Sequence, residues 1–142
     1  ALSLPLLRAA LPQFAAARCP DGLTPHNFSL LPFVAFNRKD DLQAEFVANA
    51  FGLKHVSLSQ MYVPSSEGQV RAVLSGWGVS VLPELQVRPL LRAGTLVALA
   101  PGRALNVSLY WHCWNLDSAV LDALTLALKS AAAVALLRPA VQ

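Results

Sequence analysis

Apolar residues along the chain fall alternately into short continuous runs and into stripes with helical spacing. The run Pro32–Phe36 is typical of a buried strand, whereas the apolar residues of Leu42–Phe51 fall on one helical face. Asp40 or Asp41 is placed to cap that helix and Gly52 to end it. The same patterns predict further strands at Leu6–Ala10, His55–Val63, within Gly76–Pro83, at Leu96–Leu99 and at Leu105–Trp114, and further helices at Phe14–Arg18, Asn27–Leu31, Gly68–Ser75, Glu84–Arg92 and Asp117–Leu137.

This alternation of strands and helices predicts the fold class. Strands that alternate with helical segments indicate an α/β fold with a mostly parallel sheet. The last helix, Asp117–Leu137, is apolar on nearly every side, so we expect it to pack against another surface.

The composition of the chain adds limits to this picture. Of the 142 residues, 55% are hydrophobic and 13% are charged, which excludes a disordered chain and fits a single domain or part of one. Asp122 and Lys129 interrupt the most apolar stretch, Ser118–Leu137, so no membrane span is expected. Ala1–Leu11 contains Pro5 and lacks a basic segment, which argues against a signal peptide. The apolar excess predicts a surface that is covered by a partner or by further sequence.

The distribution of charged residues argues against a DNA-binding surface, and the spacing of the cysteines argues against a metal or redox motif. The net charge is +3, but the eleven Lys and Arg residues are scattered, and acidic Asp40–Asp41 follows the longest basic cluster, Arg38–Lys39. We therefore expect no DNA binding by these residues themselves. Cys19 and Cys113 lack the spacing of a metal or redox motif, and we interpret them as two buried thiols of a reduced, cytoplasmic protein.

The motifs of common enzymes are missing from the sequence. The segment Gly76–Gly78 precedes a predicted strand, whereas a dinucleotide fingerprint must follow one. The sequence has no phosphate-binding loop and no nucleophile elbow, and His26, His55 and His112 lack metal-ligand spacing. We expect no catalysis, no metal and no cofactor.

Two strand-to-helix junctions are candidate binding sites. Ligands of open α/β sheets lie outside the carboxyl ends of the strands, near helix N-termini. Tyr62–Glu67 brings two hydroxyl groups and a carboxylate to such a place, and Asn37–Asp41 is the other polar junction. Ordinary helix capping explains the same residue types, so both interpretations stay open. The aromatic segment Leu109–Trp114 is typical of a core strand or of a cleft wall.

Four segments of the chain resemble LysR-type transcriptional regulators, and within them the ArgP-like subgroup of arginine- and lysine-responsive regulators, also called inhibitors of chromosome replication initiation. The segments are Pro32–Phe46, Val63–Glu67, Gly76–Pro83 and Leu109–His112. The third is widespread in the family, whereas the first and the last are more typical of the subgroup. The resemblance covers almost the whole chain and is weak over Ala1–Leu7.

The resemblance implies a fold and a domain organisation. Such regulators have an N-terminal winged helix-turn-helix and an effector domain of two α/β subdomains related to type II periplasmic solute-binding proteins. Residues 1–100 are then expected to form subdomain two, and residues 101–142 the strand and helix that return to subdomain one. The DNA-reading domain and the first half of subdomain one would lie outside this sequence, so DNA would be contacted only through that absent domain.

The resemblance also implies a sensory function. The effector would be a small molecule, with lysine or arginine suspected, and its binding would shift the arrangement of a dimer or tetramer. A cationic effector calls for a carboxylate, which Glu67 or Asp40 offers. The other implied effector contacts are Pro64, Ser65 and Ser66 in the strand-to-helix corner, and His112 and Trp114 on the returning strand.

Two other classes of protein remain as alternatives. One is a periplasmic-type solute-binding protein for a small polar ligand, which shares the fold. The other is a fragment of an α/β enzyme, which would need a nucleophile, a metal cluster or a phosphate-binding loop. A winged helix-turn-helix encoded upstream would favour the regulator, whereas a signal peptide there would favour the solute-binding protein. We also expect the chain to associate with itself as a dimer or larger oligomer, because the final helix is apolar around its circumference.

Overall fold

The structure, a computed structural model, describes residues 2–100 and 104–136 as alternating strands and helices. This order confirms the predicted α/β class. The elements are β1 (Leu2–Ala10), α1 (Pro12–Arg18), a 3-10 turn (Phe28–Leu30), β2 (Pro32–Ala35), α2 (Leu42–Phe51), β3 (Ser59–Tyr62), α3 (Ser66–Leu74), β4 (Ser80–Pro83), α4 (Glu84–Arg92), β5 (Val97–Ala98), β6 (Leu105–Leu109) and α5 (Ala119–Ala135).

The described residues divide into two compact units. The large unit lies within Leu6–Leu105, and the small unit joins residues 2–5 to residues 106–136.

The strands pair in both directions. β1 is antiparallel to β4, with Leu7 opposite Leu82, and antiparallel to β5, with Ala9 opposite Ala98. β4 and β5 therefore run in the same direction on either side of β1, joined through α4. β2 and β3 are parallel, and an isolated parallel bridge links Phe33 to Val79.

The sheets are thus mixed rather than mostly parallel, which corrects that detail of the prediction. The parallel arrangement holds for β2, β3 and the bridge, whereas β1 runs against both of its described neighbours in the large unit. Sequence periodicity identifies strands but carries no information on which strands pair. The insertion of β1 between β4 and β5 is a long-range pairing of this kind.

The core of the large unit lies on both faces of its strands. Side chains alternate between the two faces of a strand, so neighbouring residues enter different clusters. Ala9 and Val34 pack in one cluster, whereas the adjacent Ala10 and Phe33 pack in the other. The first cluster also contains Val70, Ala72, Val73, Leu82, Val87 and Leu96, and the second Cys19, Leu23, Leu31, Val47, Val79 and Leu99.

A charged side chain also enters this core. Arg8 on β1 is only 2% exposed, and its guanidinium lies 4.6 Å from the centroid of the Phe46 ring and 5.9 Å from that of Phe51. An arginine over an aromatic face makes a favourable cation–π contact. The contact ties β1 to α2.

The glycine motif before β4 brings two chain segments into close contact. A side chain at Gly78 would overlap the carbonyl oxygen of Pro32. That carbonyl accepts a hydrogen bond from the Val79 amide at 2.9 Å, and the Val34 amide donates to the Val79 carbonyl at 2.8 Å. Glycine at position 78 therefore allows β2 and the start of β4 to lie side by side.

Predicted and observed element bounds differ mainly in the strands. α2 and α4 have the predicted bounds, whereas β1 begins four residues earlier, at Leu2 instead of Leu6. The strand predicted over Leu105–Trp114 ends at Leu109, which corrects that prediction. Residues 110–117 are exposed, and among the described residues only β1 pairs with β6. The predicted helix end at Leu137 lies outside the described residues.

The small unit has little covered surface. α5 begins after Ser118, whose hydroxyl accepts a hydrogen bond from the Leu121 amide at 3.4 Å, and none of its seventeen residues is buried. The Trp111 indole donates to the Thr125 hydroxyl at 3.1 Å, which links the segment after β6 to α5. Within the described part of the chain, no helix has the length and hydropathy needed to cross a membrane.

Candidate functional site

An open cleft in the large unit lies at the end of β4, beside the first turns of α2 and α3. Its volume is about 440 Å³, within the range of small-molecule sites. We call it the junction cleft, because it joins the two strand-to-helix junctions that the sequence singles out. Its lining residues are Leu6, Phe36, Asn37, Lys39, Asp40, Leu42, Gln43, Ser66, Gln69, Val81 and Pro83.

The β2–α2 loop brings Asp40 to the cleft. Both carboxylate oxygens accept backbone N–H groups, Oδ2 from Phe36 at 3.0 Å and Oδ1 from Leu42 at 3.1 Å. Asp41 occupies the N-cap position of α2 without a side-chain capping bond, so Asp40 fulfils the predicted capping role. A carboxylate has about four acceptor sites, and Asp40 therefore keeps capacity for a ligand.

The β3–α3 corner brings Ser66 to the same cleft. The Ser65 hydroxyl accepts a hydrogen bond from the Gly68 amide at 3.1 Å and caps α3, and the Ser66 hydroxyl donates to Gln86 Oε1 at 2.7 Å. Pro64 and Glu67 are exposed and do not line the cleft. Of the four predicted corner contacts, the cleft therefore includes Ser66.

Two buried glutamines, Gln43 and Gln69, line the junction cleft and are absent from the predicted contacts. The Gln43 side chain binds the backbone of Val81 twice, accepting from its N–H at 2.8 Å and donating to its carbonyl at 3.4 Å. The sequence signal for both is a polar residue within an apolar helical stripe, since Gln43 precedes Phe46 and Val47 by three and four residues. Gln69 has the same spacing to Ala72 and Val73.

The remaining predicted contacts, His112 and Trp114, lie in the small unit. His112 lines an apolar cleft of about 460 Å³ beside α5, together with Leu109, Trp111 and Leu128. Trp114 is 82% exposed and does not line that cleft. The role of both residues as effector contacts remains a prediction.

Other polar groups of the large unit lie outside the junction cleft. The Arg38 guanidinium is 6.0 Å from the centroid of the Tyr62 ring, at the ends of β2 and β3. Burial raises the pKa of the Cys19 thiol above its usual 9.0, and the neighbouring charge of Arg18 opposes this effect. No group of three His, Cys, Asp or Glu side chains in the described ranges could hold a metal ion. The junction cleft combines a volume of about 440 Å³ with a carboxylate, Asp40, that two backbone N–H groups hold in place.

Comparison with known proteins assigns the family. Residues 2–133 match the sequence model of the LysR substrate binding domain. The chain belongs to the LysR substrate-binding domain family. Its members are domains of transcriptional regulators, and the predicted resemblance is confirmed.

Individual relatives agree with this assignment. The chain is 40% identical over 111 residues to the HTH-type transcriptional regulator ArgP of Aeromonas salmonicida, covering 78% of this chain and 37% of the relative. It spans about two fifths of the length of the curated relatives it matches. Because these relatives are regulators, the solute-binding alternative is not favoured.

Solved structures confirm the fold. The C-terminal domains of a LysR family protein from Agrobacterium tumefaciens superpose with a TM-score of 0.87 at 37% identity, covering 95% of this chain and 65% of that one. Full-length LysG from Corynebacterium glutamicum with bound effector Arg superposes with a TM-score of 0.80 at 31% identity, covering 96% and 46%. The predicted relation to type II periplasmic-binding proteins is thereby confirmed.

Proposed function

We propose that this chain is the effector-sensing part of a LysR-type transcriptional regulator and that its junction cleft binds a basic amino acid, lysine or arginine. The observation that carries the proposal is the meeting of Asp40 and Ser66, from two separate junctions, at one cleft. The similarity to LysG, which was solved with bound arginine, supports the choice of ligand class.

Asp40 is the carboxylate that we assign to the cation of the effector. Its two backbone hydrogen bonds fix its position before a ligand arrives, which lowers the entropy that binding must overcome. A guanidinium or ammonium group then gains a charge-assisted hydrogen bond. Glu67, the other predicted carboxylate, is exposed and does not line the cleft.

The other predicted contacts take supporting places in the proposal. Ser66 offers a hydroxyl to the ligand, and Ser65 and Pro64 shape the turn that presents it. His112 and Trp114 belong to the small unit, which we assign to subdomain one of the regulator, with the large unit as subdomain two. The proposed role is non-catalytic and cytoplasmic.

Regulation follows from differential binding. An effector that binds one arrangement of a regulator oligomer more tightly than another shifts the population toward that arrangement. DNA is contacted through the helix-turn-helix domain that the names of the relatives imply. Self-association to a dimer or larger oligomer is part of the proposal.

Isothermal titration of the full-length regulator tests the ligand and Asp40 together. Wild type is expected to bind arginine or lysine, and Asp40→Asn to weaken that binding about 10- to 100-fold, since a hydrogen bond to a charged group is lost. Citrulline, the neutral analogue of arginine, is expected to bind weakly to both proteins.

Asp41→Asn is the matched control, because Asp41 is exposed and its side chain makes no capping bond. This variant is expected to bind like wild type. Equal affinity for arginine in wild type and Asp40→Asn, or equal affinity of wild type for arginine and citrulline, would contradict the proposal.

A further inference from the structure

Gln69 is a buried polar side chain on the wall of the junction cleft. It lies on α3, three residues after Ser66, and only 6% of its surface is exposed. Within residues 2–100 and 104–136, its side-chain amide has no hydrogen-bond partner. The amide atoms are not fully enclosed by protein, so they face the solvent of the junction cleft and are available to a ligand.

Gln43 shows what a structural glutamine looks like in this cleft. Its amide is bonded at both ends to the backbone of Val81, so its polar atoms are satisfied by the protein itself. Gln69 has the same chemistry and a similar burial, and it lines the same cleft without such a partner. The difference identifies Gln69 as a group whose hydrogen-bond capacity is open to a ligand.

The surroundings of Gln69 favour a negatively charged ligand group. Gln69 lies in the N-terminal part of α3, where free backbone N–H groups and the helix dipole favour negative charge. Lys39 also lines the cleft and adds a positive charge. Asp40, which we assign to the cation of the effector, lies at the other junction, between β2 and α2. An amino acid that presents its cation to Asp40 would carry its carboxylate as a second charged group.

We infer that Gln69 holds the carboxylate of the amino-acid effector, its side-chain NH₂ donating a hydrogen bond within the junction cleft. The inference rests on the proposed function and deepens it, because it gives the two ends of the ligand different partners. Asp40 recognises the cationic end, and Gln69 recognises the α-carboxylate, which lysine and arginine share.

Two substitutions in the full-length regulator test the role of Gln69 by isothermal titration with arginine. Gln69→Met keeps the length of the side chain and removes its polar atoms, and it is expected to weaken binding about 10- to 100-fold. Gln69→Glu replaces the donor with a carboxylate, and repulsion between like charges is expected to weaken arginine binding further.

Agmatine, which is arginine without its carboxylate, provides the matched ligand. Because the proposed contact is missing from agmatine, Gln69→Met is expected to bind it as wild type does. An equal loss of arginine and agmatine binding in Gln69→Met would overturn the inference. Unchanged arginine affinity in Gln69→Met, or tighter arginine binding by Gln69→Glu than by Gln69→Met, would overturn it as well.

Thermal unfolding without ligand separates binding from folding. Gln69→Met is expected to melt no lower than wild type, because it removes no hydrogen bond within the described protein. Gln43→Met is expected to melt lower, because it leaves the Val81 N–H and carbonyl without their partner. If wild type binds neither arginine nor lysine, the proposed function and this inference fall together. If wild type binds and the Gln69 variants bind equally well, only this inference falls.

Discussion

The two cysteines of the chain lie in opposite environments, which corrects the prediction that both are buried. Cys19 is 2% exposed and packs in the core of the large unit, whereas Cys113 lies in the exposed segment after β6. Burial also raises the pKa of the Cys19 thiol, so the reactive thiolate is less populated there at neutral pH. Access and ionisation therefore act in the same direction on Cys19.

We predict that iodoacetamide modifies Cys113 much faster than Cys19 in the folded protein. Cys113 is accessible to the reagent, whereas Cys19 is buried and its raised pKa leaves less of the reactive thiolate. The rate is measured by mass spectrometry on Cys19→Ser and Cys113→Ser. Only Cys113→Ser is expected to lose the fast modification. A fast reaction in Cys113→Ser would contradict the assigned burial of Cys19.

At the scale of single elements, α3 depends on its N-terminal cap. The Ser65 hydroxyl accepts a hydrogen bond from the Gly68 amide, and it is the side-chain cap of the helix that borders the junction cleft. Gly68 permits this tight turn, since a side chain there would come within 2.7 Å of Val63 Cγ1. The geometry of the corner is therefore encoded locally.

We predict that Ser65→Ala lowers the free energy of unfolding by about 1 kcal/mol, because the Gly68 amide loses its acceptor. Ser65→Asp is the matched control, since a carboxylate also accepts this hydrogen bond and is favoured at a helix N-terminus. Urea unfolding followed by circular dichroism provides the measurement. An alanine variant as stable as wild type would show that the cap contributes nothing to stability.

The sequence predicted helices better than strand ends for a physical reason. α2 ends at Phe51, and the capping residue Gly52 after it adopts the left-handed conformation with φ +66°, a signal that is visible in the sequence. The end of β6 at Leu109 depends on the available pairing partner, which is a property of the fold. The aromatic residues Tyr110, Trp111 and Trp114 fit a strand by propensity, but propensity alone does not supply hydrogen bonds to a neighbour.

The candidate site was predictable only in part. The residue types at the two junctions predict Asp40 and Ser66 as separate contacts. The order of the strands in the fold brings both residues to one cleft. Gln69 could not be distinguished from Gln43 in the sequence, because both interrupt an apolar helical stripe. They differ because Gln43 binds the backbone of Val81, which lies 38 residues away in the sequence, whereas Gln69 makes no such contact.

At the scale of the whole molecule, the apolar surplus of the composition concentrates in the small unit. Val120 is 80% exposed, Leu126 69% and Val134 90%, and none of the residues of α5 is buried. Tyr110 and Trp114 add exposed aromatic surface. Soluble monomers rarely expose large contiguous apolar patches, and such patches usually mark an interaction surface. The exposed apolar side chains of α5 therefore mark an interaction surface.

We predict that the 142-residue chain, studied by itself, associates with itself through α5. Burial of apolar surface is worth roughly 25 cal/mol per Å², so two copies gain free energy by covering these side chains. Size-exclusion chromatography with light scattering is expected to show a dimer or larger species. Leu126→Lys together with Val134→Lys is expected to shift the chain toward monomer. Gln13→Lys together with Asn49→Lys, at exposed polar positions of α1 and α2, adds the same charge away from α5 and is expected to leave the oligomer unchanged. A monodisperse wild-type monomer at high concentration would contradict the prediction, because the apolar face of α5 would then be stable in water.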